Sequence, residues 1–319
     1  MSFPLGNKEL KIGILGMTEG NGHPYSWSAM FNGFDPEAMK ECPFPVIPVY
    51  LSKQPEHTLG IEGAKITHIC CTGYADRKEA EKIARASKIQ HVVSDPLEMI
   101  GQVDAVICAT DAGDEHVERC KPFLEAGIPM FIDKPLVNRE EDLRWFINQR
   151  KNGAHFLSSS SMRYCKEMEP FYRNHYELGD LVYICQPMPK KFETYGIHAL
   201  ETIYPLLGPG FVSVQNTGTY EQTSIHLEHK SGCRVDIAQN LKMAGAGTLI
   251  IGTAESRYIN DGDSYYAFKK QLDLFVHWLR TGEEPFPFEQ TVELMKLVVL
   301  GLRSREEGGR KILLSELSL

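Results

Sequence analysis

The sequence predicts an α/β protein of two domains, the first built on a doubly wound parallel sheet. Three observations lead there. The chain has 319 residues, more than one hydrophobic core usually organises. From Leu10 to Leu136, short apolar runs alternate with stretches of helical spacing. Beyond them, several runs alternate apolar and polar residues one by one, as strands do in a sheet wetted on one face. The division falls at residues 1–136 and 137–319.

Taken in order, Leu10–Leu15 is a buried strand that ends at Gly16, and a helix is expected through Tyr25–Phe31. Between them, Gly16 to Pro24 forms a glycine-rich turn, where backbone amides and a helix N-terminus can hold a pyrophosphate. Gly16, Met17, Thr18 and Gly20 are its cofactor-binding candidates, although Thr18 stands where the strict spacing would put a second glycine. Residues 34–63 carry five prolines and read as an inserted surface excursion, with only Val46–Leu51 resembling a strand. The alternation resumes with a strand at Ile66–Cys71, a helix over Asp76–Ser87 and a short strand at His91–Val93. A capped helix opens at Asp95–Pro96, followed by a strand at Asp104–Thr110, a helix over Glu115–Ala126 closed by Gly127, and a strand at Pro129–Asp133. This is the pattern of a nucleotide-binding domain.

Composition narrows the partners. The net charge of −8, without a dense Lys/Arg run, excludes a nucleic-acid surface. No apolar run approaches the ~20 residues of a membrane span. Residues 1–11 lack an apolar signal core, so a cytoplasmic protein is expected. Eight cysteines without CxxC spacing read as free thiols, and no Cys/His pair has metal-ligand spacing.

Lys134 leaves the strand that contains Phe131 and Ile132, and Pro135 biases its backbone toward extended angles. Ligands of open α/β sheets bind at the carboxyl ends of strands, where this lysine would meet cofactor and substrate together. At the end of the second core strand, Thr72-Gly73 occupies the place where an acid would favour NAD. With Arg77 and Lys78 nearby, NADP is slightly favoured within an NAD(P) assignment.

Val103–Thr110, then His116, Leu124-Glu125-Ala126-Gly127 and Asp133-Lys134-Pro135 together resemble the Gfo/Idh/MocA oxidoreductase family. The likeness continues in Tyr195-Gly196-Ile197-His198-Ala199-Leu200-Glu201 and in Phe275–Pro285. It implies an N-terminal Rossmann dinucleotide-binding domain and a C-terminal α+β domain with a largely antiparallel sheet, used for substrate binding and oligomerisation as a homodimer or homotetramer. It also implies hydride transfer between NAD(P) and a secondary alcohol or ketone carbon of a sugar, cyclitol or related polyol. Thr72, Thr110, Asp111, His116 and Lys134 join the glycine turn as cofactor contacts. Lys134 and His198 would be catalytic, with Thr194 standing where the family usually has an aspartate four residues before the histidine. Lys134, Arg163, Tyr195 and His198 would meet substrate.

In the second half, Glu140–Lys151 is a bridging helix, and Ala154–Ser161 opens the second domain as a strand. Further strands are expected at Val182–Gln186, Val212–Gln215, Thr223–His229, Arg234–Ala238 and Thr248–Thr253, and a helix from near Gly196 to Leu207. Glu201, three residues after His198, could orient its ring, and on its own chemistry Arg163 reads first as the partner of a surface acid. The competing class is a non-catalytic dinucleotide-binding sensor or regulator of the same fold, which the loss of the aspartate and of the strict glycine spacing would suit; retention of Lys134 and His198 argues for an enzyme.

Overall fold

The strand β1 (Leu10–Gly16) is the spine of the first sheet because Leu10, Ile12 and Ile14 are fully buried. The computed structural model describes residues 3–260 and 262–319. The helix α1 (His23–Asn32) and the short α2 (Val46–Ser52) follow β1. Next come β2 (Ala64–Cys71), α3 (Arg77–Ala86), β3 (His91–Val92), β4 (Ala105–Cys108), α4 (His116–Glu125) and β5 (Met130–Ile132). After α5 (Glu140–Lys151), β6 (Phe156–Leu157) completes a six-stranded parallel sheet of order β3-β2-β1-β4-β5-β6. This is the doubly wound dinucleotide-binding order. β4 and β5 are buried at every position, as a parallel sheet covered by helices requires.

Three expectations change here. Val46–Leu51 is helical, not extended: Ile47 and Leu51, four residues apart, are buried together while Val46 and Val49 face solvent. The excursion is also more than surface decoration, since a Cβ at Gly22 would meet Ile47 Cδ1 at 2.5 Å and Phe44 Cδ2 at 2.6 Å. The strand expected to open the second domain instead supplies β6, pairing Phe156 with Met130.

The chain forms two units. One takes residues up to Lys134 together with Trp145–Ser158 and Phe268–Phe286; the other takes Pro135–Arg144, Ser159–Ala267 and Pro287–Leu319. The second unit contains α6 (Glu169–Arg173), β7 (Leu181–Cys185), β8 (Met188–Pro189) and α7 (Phe192–Leu207). The strands β9 (Phe211–Asn216), β10 (Gln222–His229), β11 (Arg234–Asn240), β12 (Thr248–Gly252) and β13 (Ser256–Ile259) follow. The helix α8 (Ser264–Thr281) starts in this unit and continues into the other, and α9 (Phe288–Glu306) and β14 (Ile312–Leu313) close the chain. The sheet runs β13-β12-β7-β11-β10-β9-β14, with β8 beside β11; its pairs are antiparallel except β11 with β7 and β8. One face buries Ile184, Val214, Ile225, Val235, Ile237 and Ile250, and α7 and α9 pack on this sheet. Among the described residues, no helix is long and apolar enough to cross a membrane.

The helix α7 begins at Phe192, one turn earlier than Gly196 suggested. Gly196 is no boundary but a notch: a Cβ there would sit 2.3 Å from the ring of Phe192, which is buried beneath it.

Candidate active site

In the first unit, polar side chains converge where β1, β4 and β5 end. Lys134 lies just past β5, 2% exposed, with Nζ 3.5 Å from Asp111 Oδ2. Asp111 also accepts from Thr18 Oγ1, and its amide donates to the same hydroxyl at 3.3 Å. Burial pushes the Asp111 carboxyl up, but Lys134, then Thr18, His23 and Asn21, hold it below the usual aspartate range. Asp133, 1% exposed, accepts from three donors: the Lys134 amide at 2.7 Å, Asn21 Nδ2 at 3.1 Å and His23 Nδ1 at 2.6 Å. The His23 ring stacks on Trp27, centroids 4.3 Å apart, with Phe268 edge-on at 5.1 Å. Asn21 Oδ1 accepts the His23 amide at 2.8 Å, and Pro24 has no N–H, so two of the first positions of α1 have no amide to offer a ligand.

His116 is fully buried and donates Nε2–H to the Thr110 carbonyl at 2.8 Å, tying down the loop that presents Asp111. Thr72 receives two bonds from Arg119, at 3.1 Å on its hydroxyl and 3.2 Å on its carbonyl. Glu115 anchors the same guanidinium one helical turn away, 2.7 Å from Nη2. At the ends of β1 and β2, a cleft of about 610 Å³ is lined by Met17, Gly20, Tyr74, Ala75, Asp76 and Glu79 and bounded by Pro43 and Phe44. A second hollow of about 400 Å³ lies among Leu15, Thr72, Pro96, Leu97, Arg119 and Phe123. The turn fits a dinucleotide. A Cβ at Gly16 would strike Pro24 Cγ at 2.4 Å, so glycine is what lets α1 start this close to β1, while Gly20, at φ +75°, adjoins open space.

In the second unit, His198 lies in the second turn of α7, 7% exposed, and its Nδ1 is 2.5 Å from Ser160 Oγ. Ser160 Oγ also accepts the Met162 amide at 3.0 Å. The Tyr195 ring meets His198 edge-on at 4.6 Å, and Lys190 Nζ donates to the Tyr195 hydroxyl at 2.6 Å. Glu201 turns away from the histidine to an ion pair with Arg163 Nε and to the Ser160 amide at 3.3 Å. Burial pushes the Glu201 carboxyl up, and Arg163 opposes it. Arg163 is buried rather than paired with a surface acid, and Nη1 donates to Gln290 at 2.9 Å. Among the described residues, no group of three or more His, Cys, Asp or Glu side chains could hold a metal.

Residues 49–158 match the model of an oxidoreductase family with an NAD-binding Rossmann fold, the family abbreviated GFO_IDH_MocA. Over those residues the chain is similar to the Rossmann domain of the Gfo/Idh/MocA oxidoreductases. The rest of the chain follows the same architecture. A scyllo-inositol dehydrogenase from Lactobacillus casei, solved without ligand, superposes with a TM-score of 0.75 at 15% identity, covering 98% of this chain and 100% of that one. A probable dehydrogenase from Thermotoga maritima gives 0.73 at 16%, with 97% and 100% covered. A putative myo-inositol dehydrogenase from Sinorhizobium meliloti gives 0.73 at 17%, with 96% and 99% covered. At such identities the likeness establishes the fold. No curated protein matches the chain in sequence.

The Gfo/Idh/MocA reading of the sequence named Thr18, Asp111 and Lys134, and the structure joins them in one cluster. Gly16, Met17 and Gly20 form the turn beside them, and Thr110 and His116 hold the adjoining loop. His198 and Tyr195 are in contact, but His198 Nδ1 is met by Ser160, not by Thr194 or Glu201. The sequence reading passed over Asn21, His23, Asp133, Arg119 and Ser160. Arg119 had a signal, since Glu115 and Arg119 are spaced i, i+4. The others are joined by contacts far apart in sequence.

Proposed function

We propose that the protein is an NAD-dependent oxidoreductase acting on a secondary alcohol or ketone carbon of a cyclitol, sugar or related polyol. The observation that carries this reading is the buried Lys134 ammonium, charge-paired with Asp111 at the strand ends of a Rossmann unit. The turn at residues 16–22 would take the pyrophosphate, Asp76 the ribose hydroxyls, and the walls formed by Leu15, Pro96, Leu97 and Phe123 the base. Among the described residues two acids, Asp76 and Glu79, and no Lys or Arg line the cleft at Tyr74–Ala75, and the Arg119 guanidinium on Thr72 is paired with Glu115, which weighs toward NAD and against the slight NADP preference read from Thr72. The bound nicotinamide would supply or accept the hydride. Lys134 would hold the reacting oxygen and stabilise the charge that develops on it, an interaction strengthened by its burial. Similar structures favour a polyol: one is a scyllo-inositol dehydrogenase from Lactobacillus casei with NAD(H) and scyllo-inositol bound.

The outward face of the second sheet, with Tyr183, Ala238, Leu249, Ile251 and the exposed Tyr258, supports assembly into a homo-oligomer. The test of the reaction is a fluorescence titration with NADH and NADPH, then turnover on a panel headed by myo- and scyllo-inositol. Lys134→Met should lower turnover by roughly 100- to 1,000-fold, the usual worth of one donor to a developing oxyanion, and weaken NADH binding far less. Turnover within a few-fold of wild type would return the protein to the non-catalytic class.

A further inference from the structure

Where β1, β4 and β5 end, the buried charges do not cancel. Asp111 and Lys134 form one pair, with Nζ and Oδ2 3.5 Å apart and side-chain exposures of 13% and 3%. Against burial, Lys134 and then Thr18 hold the Asp111 carboxyl below the usual aspartate range, so it stays charged. Asp133 is a second acid, 1% exposed. Its oxygens take the Lys134 amide at 2.7 Å, Asn21 Nδ2 at 3.1 Å and His23 Nδ1 at 2.6 Å. Each of these partners can donate, which is the setting of an ionised carboxylate. Among the described residues, His23 is the one side chain within ion-pairing distance of Asp133, and its ring is charged only when protonated. With a neutral imidazole, two carboxylates therefore face one ammonium.

A buried charge without a counter-ion is costly, and it is kept where a ligand is to meet it. The carboxyl ends of these strands are where a doubly wound sheet receives its ligand, and the adjoining turn fits a dinucleotide. The oxidised and reduced cofactors share the pyrophosphate, both riboses and the adenine. They differ in the nicotinamide ring, which is a cation in NAD and neutral in NADH. Lys134 alone would repel that cation. Asp111 offsets the repulsion, and Asp133 reverses it.

We propose that Asp133 supplies a surplus negative charge that stabilises the nicotinamide cation, so that the cluster favours NAD over NADH and lowers the reduction potential of the bound cofactor. This rests on the dinucleotide reading above, and on neither the substrate nor the reaction. Asn21, His23 and the Lys134 amide hold the carboxylate in place by hydrogen bonds, and the amide and the asparagine do so without neutralising it. A lysine can then serve a developing oxyanion without expelling the oxidised cofactor. All the groups involved belong to the first unit.

The test measures two dissociation constants for each variant of the full chain: NADH by fluorescence titration, and NAD by displacement of NADH. Their ratio cancels what a substitution does to the fold or to the phosphate turn. Asp133→Asn should shift the ratio toward NADH by roughly tenfold, the worth of one charge at about 10 Å and an effective dielectric of about 20. Asp111→Asn should shift it the same way, and Lys134→Met the opposite way, toward NAD. The ratio then follows the charge of the cluster and not the residue replaced. For a two-electron couple, a tenfold change in this ratio is about 30 mV in the potential of the bound cofactor. His23→Gln keeps a donor for Asp133 but cannot be protonated, and should leave the ratio unchanged. A marked rise in its preference for NAD would show that His23 is the counter-ion in the wild type, and would overturn the proposal. Equal ratios in wild type, Asp133→Asn and Lys134→Met would overturn it as well. Should Asp133→Asn fail to fold, Asp111→Asn and Lys134→Met still demand shifts of opposite sign. If the wild type binds neither nucleotide, the dinucleotide reading fails and the proposal falls with it; if it binds both and the ratio ignores the charge, the proposal alone fails.

Discussion

Replacing Asp111 with asparagine probes the buried ion pair of the charge cluster. Lys134 Nζ and Asp111 Oδ2 are 3.5 Å apart, with side-chain exposures of 3% and 13%. Unit charges at that separation attract by about 5 kcal/mol at an effective dielectric of about 20. Desolvation offsets much of this in the intact pair, but the variant keeps the ammonium buried after its carboxylate has gone. Breaking a buried pair in this way usually costs about 3–5 kcal/mol. We expect Asp111→Asn to destabilise the first unit by about 3 kcal/mol, the low end of that range, because Lys134 keeps its other contacts. Adding Lys134→Met should restore part of the loss, with a coupling energy above about 1 kcal/mol. All three tryptophans, Trp27, Trp145 and Trp278, lie in the first unit, so urea unfolding followed by tryptophan fluorescence reports on it directly. The pH dependence has a definite sign. The folded-state pKa of Asp111 is lowered, so its contribution is present above the ordinary aspartate value and is lost as pH falls through the folded value. The gap between wild type and variant should therefore close in acid. A gap below about 1 kcal/mol at neutral pH, or one that persists in acid, would refute the reasoning.

Three further outcomes are expected. Gly22→Ala drives a methyl into Phe44 and Ile47, and should lower stability by about 1–3 kcal/mol in thermal unfolding while weakening NADH binding through the turn. Asp76→Ser removes a carboxylate from the cleft at the end of β2 and should shift the NADPH-to-NADH affinity ratio upward by about tenfold, the worth of one charge-assisted hydrogen bond; an unchanged ratio in the fluorescence titration would remove Asp76 from the ribose site. Sedimentation velocity should find a dimer or larger assembly, and a monomer at micromolar concentration would leave the outer face of the second sheet without a partner.

The parallel sheet could be read from the sequence because its strands are buried on both faces: Leu10–Leu15 and Ala105–Cys108 are apolar nearly throughout, and turns separate them. Lys134 could be read only through the pattern on both sides of it, since a lysine at the end of such a run is ordinarily a solvated loop residue. What escaped were features defined by partners remote in sequence. Phe156-Leu157 looks the same whether it opens a new sheet or closes an old one; only its pairing with Met130 and Phe131 decides. Gly196 resembles a helix boundary until Phe192 is seen packed beneath it. Asp133 was visible as part of a motif, but its partner His23 lies 110 residues away, and Ser160 lies 38 from His198.

The path of the chain through its two units constrains how the protein can be made. The first unit is not finished when Lys134 leaves the ribosome: the edge strand β6 of its sheet and the segment Phe268–Phe286 are still to come. Until His155–Leu157 is synthesised, β5 has neighbours on one side only and presents a row of unpaired backbone groups beside Met130 and Phe131, both buried in the finished protein. Such an edge invites pairing with another chain. A fragment ending near residue 136 would carry Thr18, Asn21, His23, Asp111, Asp133 and Lys134 and yet be a poor folding unit, prone to aggregation during synthesis. The C-terminal third of the gene therefore serves the cofactor domain as well as the sheet that follows it, and a truncation placed there should cost solubility before it costs any contact to a ligand.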